Sequence, residues 1–200
     1  NIYVNYMKTA CIVLGSGSGN RFSKHQSKLF YKLNNHLLIE YTLKNITKSI
    51  NRDCLYITIP KKITKKEKSV LSKYTDNSLI LGGNSRHQSL SKALKSIDTA
   101  KYKYLMIHDA ARPNISPTLI NKLIKKIKTN KYDAVIPALQ VTDSLKKNNK
   151  SVNRKIFKTT QTPQVFKMKD FIKQSIKSEV LITDDVQLIE GKRNKKIIYI

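Results

Sequence analysis

The sequence predicts an α/β protein of three layers, a mostly parallel sheet with helices on both faces and one projecting arm. Three observations carry that prediction. Short apolar runs rich in branched residues alternate with longer stretches of helical periodicity, the rhythm of right-handed βαβ units. Small-residue loops follow several of those runs directly, at the edge where such sheets bind ligands. The segment about 139–160 breaks the rhythm, being polar, lysine-rich and helix-poor, and it reads as the arm.

The elements follow in order. Residues 9–14 hold Ile12 and Val13 in an unbroken apolar run and read as a buried strand. A helix is expected over 37–47, where Leu37, Leu38, Tyr41 and Thr42 recur at amphipathic spacing. Strands are expected at 55–59, 78–81, 103–108, 133–137 and 196–200, and helices at 62–74, 87–97, 117–129 and 168–177. In the 117–129 helix, Lys122, Lys125, Lys126 and Lys128 interleave with Ile120, Leu123, Ile124 and Ile127, so the lysines form its wet face.

The 200 residues suit one domain with a substantial core, expected to span 1–200. Asn1 to Tyr6 reads as an extension without the cationic start and apolar centre of a signal peptide. No apolar run approaches the roughly eighteen residues of a membrane helix, so no membrane partner is expected. Cys11 and Cys54 lack metal-ligand spacing, and they suggest a reducing, cytoplasmic setting.

A net charge of +26 raises the question of nucleic acid. The distribution argues against a specific nucleic-acid partner. Lysines are spread along nearly the whole chain, and no face interleaves them with aromatic residues as a stacking platform requires. A lysine-biased composition explains the charge. The chain has only six arginines, and a planar guanidinium that grips phosphate or carboxylate in two places is then expected where geometry matters.

Residues 15–21, Gly-Ser-Gly-Ser-Gly-Asn-Arg, with Lys28 just beyond, look like a phosphate cradle. Glycines allow a sharp turn and close backbone approach, while Arg21 and Lys28 supply charge. The loop lacks the Gly-Lys-Ser/Thr ending of a P-loop, and Glu40, near the acidic position of a dinucleotide site, falls in a helical run. Arg86 follows Gly82-Gly83-Asn84-Ser85, Arg112 closes His108-Asp109-Ala110-Ala111-Arg112-Pro113, and Arg154 precedes Thr162-Pro163-Gln164. Because the glycine loop, the Gly82-Gly83 turn and His108-Asp109 each follow a strand, they should meet at one sheet edge.

With Asp143, Gln161 through Phe166 and Thr183-Asp184-Asp185, this ordered set resembles the 2-C-methyl-D-erythritol 4-phosphate cytidylyltransferase family of non-mevalonate isoprenoid biosynthesis, over about residues 9–200. The resemblance implies a Rossmann-like nucleotidyltransferase, a homodimer in which each arm reaches over its partner. It implies transfer of a cytidylyl group from CTP to methylerythritol phosphate, with a magnesium ion (Mg2+) carried mainly by the CTP phosphates and its protein ligands unspecified. A phosphate monoester is already largely dianionic at pH 7, with a second pKa near about 6, so the attacking oxygen needs no general base. The obstacle is repulsion, roughly 4 kcal/mol per charge pair at about 4 Å and an effective dielectric near 20.

On the matched positions the resemblance implies that Arg21 and Lys28 hold the CTP phosphates and stabilise charge in the transition state. Gly17 and Gly19 belong to the phosphate loop. The backbone at Gly82 and Gly83, with Ser89, would read the cytosine edge, and Gly15, Ser16, Asp109 and Ala110 would line the ribose side. Arg154, with Ser144 and Thr183, would place methylerythritol phosphate, Arg154 and Ser144 from the partner's arm. Simpler readings stand beside these. Arg112 would anchor its own loop through carbonyls, Ser89 could be a helix-start hydroxyl and Thr183 a helix cap, and His108 a strand-end residue without chemistry. The chain departs from the family at Gly15-Ser16, where alanines are usual, at Asn153 and at Asp185. The arm between Ser144 and Arg154 reads as short. The carboxyl end at Ile200 reads as incomplete, and a fused cyclodiphosphate synthase would account for it. The alternatives are another polyol phosphate such as ribitol phosphate as acceptor, a basic nucleic-acid-binding protein, or an inactive relative serving as an interaction subunit.

Overall fold

The computed structural model describes residues 8–17, 27–175 and 184–200, and a seven-stranded sheet forms its centre. Its strands are β1 (Lys8–Leu14), β2 (Leu55–Ile59), β3 (Ile80–Leu81), β4 (Tyr102–Asp109), β5 (Ala134–Ile136), β6 (Gln164–Lys167) and β7 (Ile197–Tyr199). They lie in the order β7-β5-β6-β4-β1-β2-β3. The helices are α1 (Leu38–Ile46), α2 (Lys65–Ser72), α3 (Arg86–Lys95), α4 (Pro117–Lys128) and α5 (Met168–Ser175). Each agrees with its expected span to within a few residues; residues 176 and 177 of the last expected helix lie outside the described residues.

Successive side chains of a strand point to opposite faces, and every residue of β1 from Thr9 to Leu14 is buried. Both faces of the sheet are therefore covered, as a parallel α/β sheet requires. The helices explain themselves from the sequence. Thr64 caps α2, accepting from the Glu67 amide at 3.2 Å while the Glu67 carboxylate accepts from the Thr64 amide at 2.7 Å, which places the start three residues later than periodicity alone suggests. Ser116 caps α4 by accepting from the Leu119 amide at 3.1 Å, with Pro117 in the first turn, a cap worth about 1 kcal/mol. Ile120, Leu123 and Ile127 of α4 are fully buried, each worth roughly 1.5–3 kcal/mol, and Lys122, Lys125 and Lys128 face solvent.

The sheet holds one strand that periodicity did not indicate. β6 runs antiparallel between β4 and β5, with Val165 opposite both Met106 and Val135. Only Val165 and Phe166 are apolar in its four residues, too few to show a strand pattern, and the segment reads in sequence as motif alone. Tertiary packing decides the matter: the Phe166 ring lies 4.6 Å from that of Phe171 in α5. β7 is held by Asp133, which accepts from the Lys196 amide at 2.8 Å and from Lys167 Nζ at 3.1 Å. Burial works against the Asp133 charge, yet those donors keep its pKa below the usual carboxylate range.

The arm is a ladder. Ala138–Gln140 pairs antiparallel with Lys158–Thr160, and farther out Lys146–Lys147 pairs with Lys150–Ser151. The outer hairpin turns at Asn148 and Asn149, whose φ values of 48° and 62° are those a tight two-residue hairpin needs and asparagine tolerates. Leu139, Ile156 and Phe157 stand 60%, 75% and 41% exposed on this projection, an unusual concentration of apolar surface in so polar a segment.

Candidate active site at the strand ends

Strand register assembles the site. Leu14 at the end of β1 is level with Thr58 of β2 on one side and Asp109 of β4 on the other. The chain turns into the glycine loop at that point, between strands whose connections leave in opposite directions. Gly15 is buried there, and its N–H donates to Thr58 Oγ1 at 3.0 Å. A Cβ on Gly15 would stand 2.6 Å from the Thr58 carbonyl oxygen, so no side chain passes. Ala110 is fully buried, donating its N–H to the Leu14 carbonyl at 3.0 Å and accepting from the Thr42 hydroxyl at 2.9 Å. Gly15 and Ala110 thus supply room and shape, with their own amides already engaged.

Ser16 joins this loop to the turn after β3. Its Cβ would lie 2.1 Å from a Cβ placed on Gly82, so the turn can approach the loop only because Gly82 has none. The Ser16 hydroxyl donates to Ser89 Oγ at 2.6 Å and accepts from the Thr58 hydroxyl at 3.4 Å. Ser89, in the first half of α3, is 1% exposed; it accepts from the Gly83 N–H at 3.0 Å and donates to the Ser85 carbonyl at 2.8 Å. Ser85 itself caps α3, accepting from the Gln88 amide at 3.1 Å. Gly15, Ser16, Gly82, Gly83 and Ser89 are therefore one interlocked unit. Gly17 is exposed beside it.

A second cluster lies at the end of β4. The Asp109 carboxylate accepts from Arg86 Nε at 3.1 Å through one oxygen and from Arg112 Nε at 3.1 Å through the other. Arg86 also forms a two-pronged pair with the fully buried Asp185, its Nη1 and Nη2 at 2.5 and 2.7 Å from the two carboxylate oxygens. Burial works against the Arg86 charge, but Asp185 and Asp109 outweigh it and raise its pKa, so it stays cationic. Burial also pushes the Asp185 carboxyl up, against the pull of Arg86. Arg112 donates further to the side-chain oxygen of Gln161. These groups border a cleft of about 400 Å³ that also meets Thr160, Thr162, Gln164, Asp184 and Gln187.

His108, fully buried, is structural. Its Nε2 lies 3.1 Å from the Arg112 carbonyl, which can only accept, so Nε2 carries the proton and Nδ1 accepts from the Thr162 hydroxyl at 3.0 Å. Burial pushes its pKa down to about 4, leaving it neutral at pH 7.

The structure separates the remaining expected residues. Lys28 is exposed on a single helical turn, Lys28–Phe30, after the loop. Ser144 and Arg154 are exposed on the arm, where Arg154 Nη1 donates to the Thr142 carbonyl at 2.6 Å. Among the described residues, no hydrogen bond or ion pair ties either to the strand-end cluster. Gly19, Arg21 and Thr183 lie outside the described residues. Arg112 departs from expectation: its side-chain partners are the Asp109 carboxylate and the Gln161 side-chain oxygen, not loop backbone carbonyls, and the carboxylate supplies a charge-assisted bond. Sequence reasoning missed Thr58, which in a β-branched run looks like core alone. The sequence does not pair Asp185 with Arg86 by itself, although a rare arginine and adjacent carboxylates in a lysine-rich chain point that way. No group of three His, Cys, Asp or Glu side chains that could hold a metal ion occurs among the described residues.

With this geometry in hand, comparison with known proteins is informative. Residues 9–197 match the family described as IspD: 2-C-methyl-D-erythritol 4-phosphate cytidylyltransferase. A bifunctional enzyme IspD/IspF of Pelagibacter ubique is 36% identical over 96% of this chain and 52% of its own length. The 2-C-methyl-D-erythritol 4-phosphate cytidylyltransferase of Clostridium beijerinckii is 33% identical over 95% of this chain and 88% of that protein. The solved bifunctional IspDF from Campylobacter jejuni superimposes with a TM-score of 0.78 at 30% identity, over 96% of this chain and 49% of that one. The 4-diphosphocytidyl-2C-methyl-D-erythritol synthase from Anaerococcus prevotii gives 0.81 at 27% identity, over 96% of this chain and 88% of that one. The chain spans about half the length of the bifunctional relatives it matches.

Proposed function

We propose that this chain, which belongs to the 2-C-methyl-D-erythritol 4-phosphate cytidylyltransferase family, transfers the cytidylyl group of CTP to methylerythritol phosphate and releases pyrophosphate. A phosphate oxygen of the acceptor attacks the α-phosphorus, one P–O bond forms, and the bond to the β-phosphate oxygen breaks. The observation that carries this reading is the turn after β3, pressed against the glycine loop with its amide donors engaged inward. Backbone carbonyls of that turn would accept from the exocyclic amine of cytosine, an amine that uracil lacks, beside the Lys92 ammonium that donates to the Gly82 carbonyl at 3.0 Å.

The rest of the site fits around that orientation. Ribose would lie over Ala110 and beside Asp109, between Gly15-Ser16 and the end of β4. The triphosphate would then follow Gly17 and Gly19 toward Arg21 and Lys28. Those two cations would neutralise the phosphates and hold the charge that grows on the α-phosphoryl group in the transition state. The cleft bordered by Arg112, Thr162 and Gln161 would receive the acceptor. Thr183 would meet the acceptor from this subunit, and Ser144 and Arg154 from the arm of a partner. The exposed Leu139, Ile156 and Phe157 support a homodimer, since a second copy would cover them.

A magnesium ion would ride mainly on the CTP phosphates. The described residues offer no cage of three metal-binding side chains, and Asp109 is already held by two guanidiniums. Carried so, it would offset phosphate charge. The neutral, enclosed His108 supports a reaction without a protein base, consistent with an acceptor already ionised. The reading makes the chain a nucleotidyltransferase domain with an arm, working in the cytoplasm without specific nucleic acid. A pyrophosphate-release assay on the natural full-length protein, with CTP and either methylerythritol phosphate or ribitol phosphate, tests it. Release with the first acceptor well above the second is expected; the reverse order would reassign the acceptor, and release with neither would remove the activity.

A further inference from the structure

Among the described residues no ion pair restrains the exposed Lys28 ammonium, so its place depends on the backbone beneath it. That backbone is a strap. Leu29 and Phe30 of the Lys28–Phe30 turn are buried, and the chain then runs out into a hairpin in which Lys32 pairs with Leu37 and Leu33 with His36. Asn34 and Asn35, at φ 47° and 64°, make the tight reversal. The hairpin closes at its base, where the Leu38 N–H donates to the Tyr31 carbonyl at 2.9 Å. Packing alone does not hold it. A cleft of about 510 Å³, bordered by Phe30, Leu37, Glu40, Thr64, Glu67 and Val70, lies between the hairpin and the start of α2, and Leu33 is 47% exposed. Walls that face a void lose the contacts that would fix them. Polar contacts hold the hairpin instead, and the Glu40 side chain, 13% exposed, is their centre. One carboxylate oxygen accepts from the Leu37 N–H at 2.8 Å; the other accepts from the Tyr74 hydroxyl at 3.1 Å and lies 3.6 Å from His36 Nδ1. The first bond is the ordinary half of a helix cap, made to the amide ahead of α1. The second is not, because Tyr74 follows α2, and one carboxylate thus joins the returning strand of the hairpin to a different element. Tyr41 of α1 adds a further hold, donating to the Leu33 carbonyl at 2.6 Å.

We propose that Glu40 is a positioning residue for Lys28: by tying the base of the hairpin to α1 and to Tyr74, it fixes the strap from which the ammonium meets the α-phosphoryl group. The proposal rests on the cytidylyl-transfer reading above and adds a residue that acts through Lys28 rather than on a substrate. A cation that stabilises charge growing in the transition state must be in place beforehand, and a displacement of about 1 Å can cost about a hundredfold in rate. Ground-state binding of CTP is spread over many contacts and tolerates the same displacement far better. Loss of Glu40 should therefore slow turnover much more than it weakens nucleotide binding.

The experiment measures pyrophosphate release with CTP and methylerythritol phosphate, calorimetric CTP affinity and thermal midpoint. It compares the natural full-length protein with Glu40→Ala, Glu40→Gln, Tyr74→Phe, Lys28→Ala and the double variant Lys28→Ala with Glu40→Ala. Glu40→Ala should lower kcat by roughly ten- to a hundredfold while CTP affinity stays within about threefold. Glu40→Gln, which keeps one acceptor oxygen, should recover part of the rate. Tyr74→Phe leaves the helix cap intact and removes one hydroxyl, and it should lower kcat by about threefold or more. That mild variant keeps the test decisive if Glu40→Ala fails to fold. In the Lys28→Ala background, Glu40→Ala should do no further harm to kcat, a result that general loosening of the fold would not give. Wild-type kcat in Tyr74→Phe, or losses that multiply in the double variant, would overturn the positioning role while leaving the cytidylyl reading intact. A wild-type protein that releases no pyrophosphate would overturn the two together.

Discussion

Arg86 and Asp185, 99 residues apart in sequence, face each other in a two-pronged ion pair that joins the start of α3 to the helical turn Asp185–Leu188. The carboxylate is fully buried and the guanidinium largely so, and Arg86 also reaches Asp109. One side chain thus ties the start of α3 to the end of β4 and to the turn at Asp185. Removing Arg86 would leave a buried carboxylate without its cation, a loss of about 3–5 kcal/mol. Arg86→Met should therefore lower the denaturant midpoint strongly, and adding Asp185→Leu should recover much of the loss. Equal midpoints for the single and double variants would show that the pair is not the source.

His108 gives a pH dependence whose sign follows from its burial. Its pKa in the folded chain is about 4, below the ordinary 6.5, so the unfolded chain binds more protons between those values. Stability from this group is complete above about pH 6.5 and is lost as pH falls toward 4, by about 3 kcal/mol over the window. His108→Gln should flatten the fall in melting temperature across that range. A slope unchanged by the substitution would place the titration elsewhere.

Lys28 and Arg21 are assigned to charge that grows during the reaction. Lys28→Ala and Arg21→Ala should each slow turnover by about 3–4 kcal/mol of barrier while weakening CTP binding much less. Steady-state kinetics beside nucleotide titration separates the two effects. Parallel loss of rate and binding would make these residues simple anchors.

Arg154 is expected to hold the phosphate of the acceptor. Arg154→Lys keeps the charge and loses the planar fork, so KM for methylerythritol phosphate should rise, or turnover fall, by roughly one to two orders of magnitude with CTP affinity nearly constant. A fall in CTP affinity with no change toward the acceptor would move Arg154 to the nucleotide side.

How much of this was legible in the sequence differs by element. β1, β2 and β4 announce themselves because each is a largely apolar, buried run, and the loops after β1, β3 and β4 carry small residues that suit a close approach. β6 was not legible, since its two apolar residues become a strand only by pairing with β4 and β5. Within the site, Gly15, Ser16, Gly82 and Ser89 could be named from the sequence, but not that Ser16 wedges against Gly82 or that Thr58 accepts from the Gly15 N–H. Those facts depend on register between strands far apart in the chain. Arg112 shows the same limit, because its choice of Asp109 over loop carbonyls is settled by a distance of 3.1 Å that no motif contains.

The central claim is that this chain joins a cytidylyl group to methylerythritol phosphate. Phosphorus NMR of the natural full-length protein incubated with CTP, magnesium and methylerythritol phosphate reads that bond directly. The account predicts a new pair of mutually coupled diphosphate signals that grow as CTP is lost and pyrophosphate appears. Pyrophosphate accumulating without those coupled signals, or signals that form as readily when ribitol phosphate replaces methylerythritol phosphate, would contradict it.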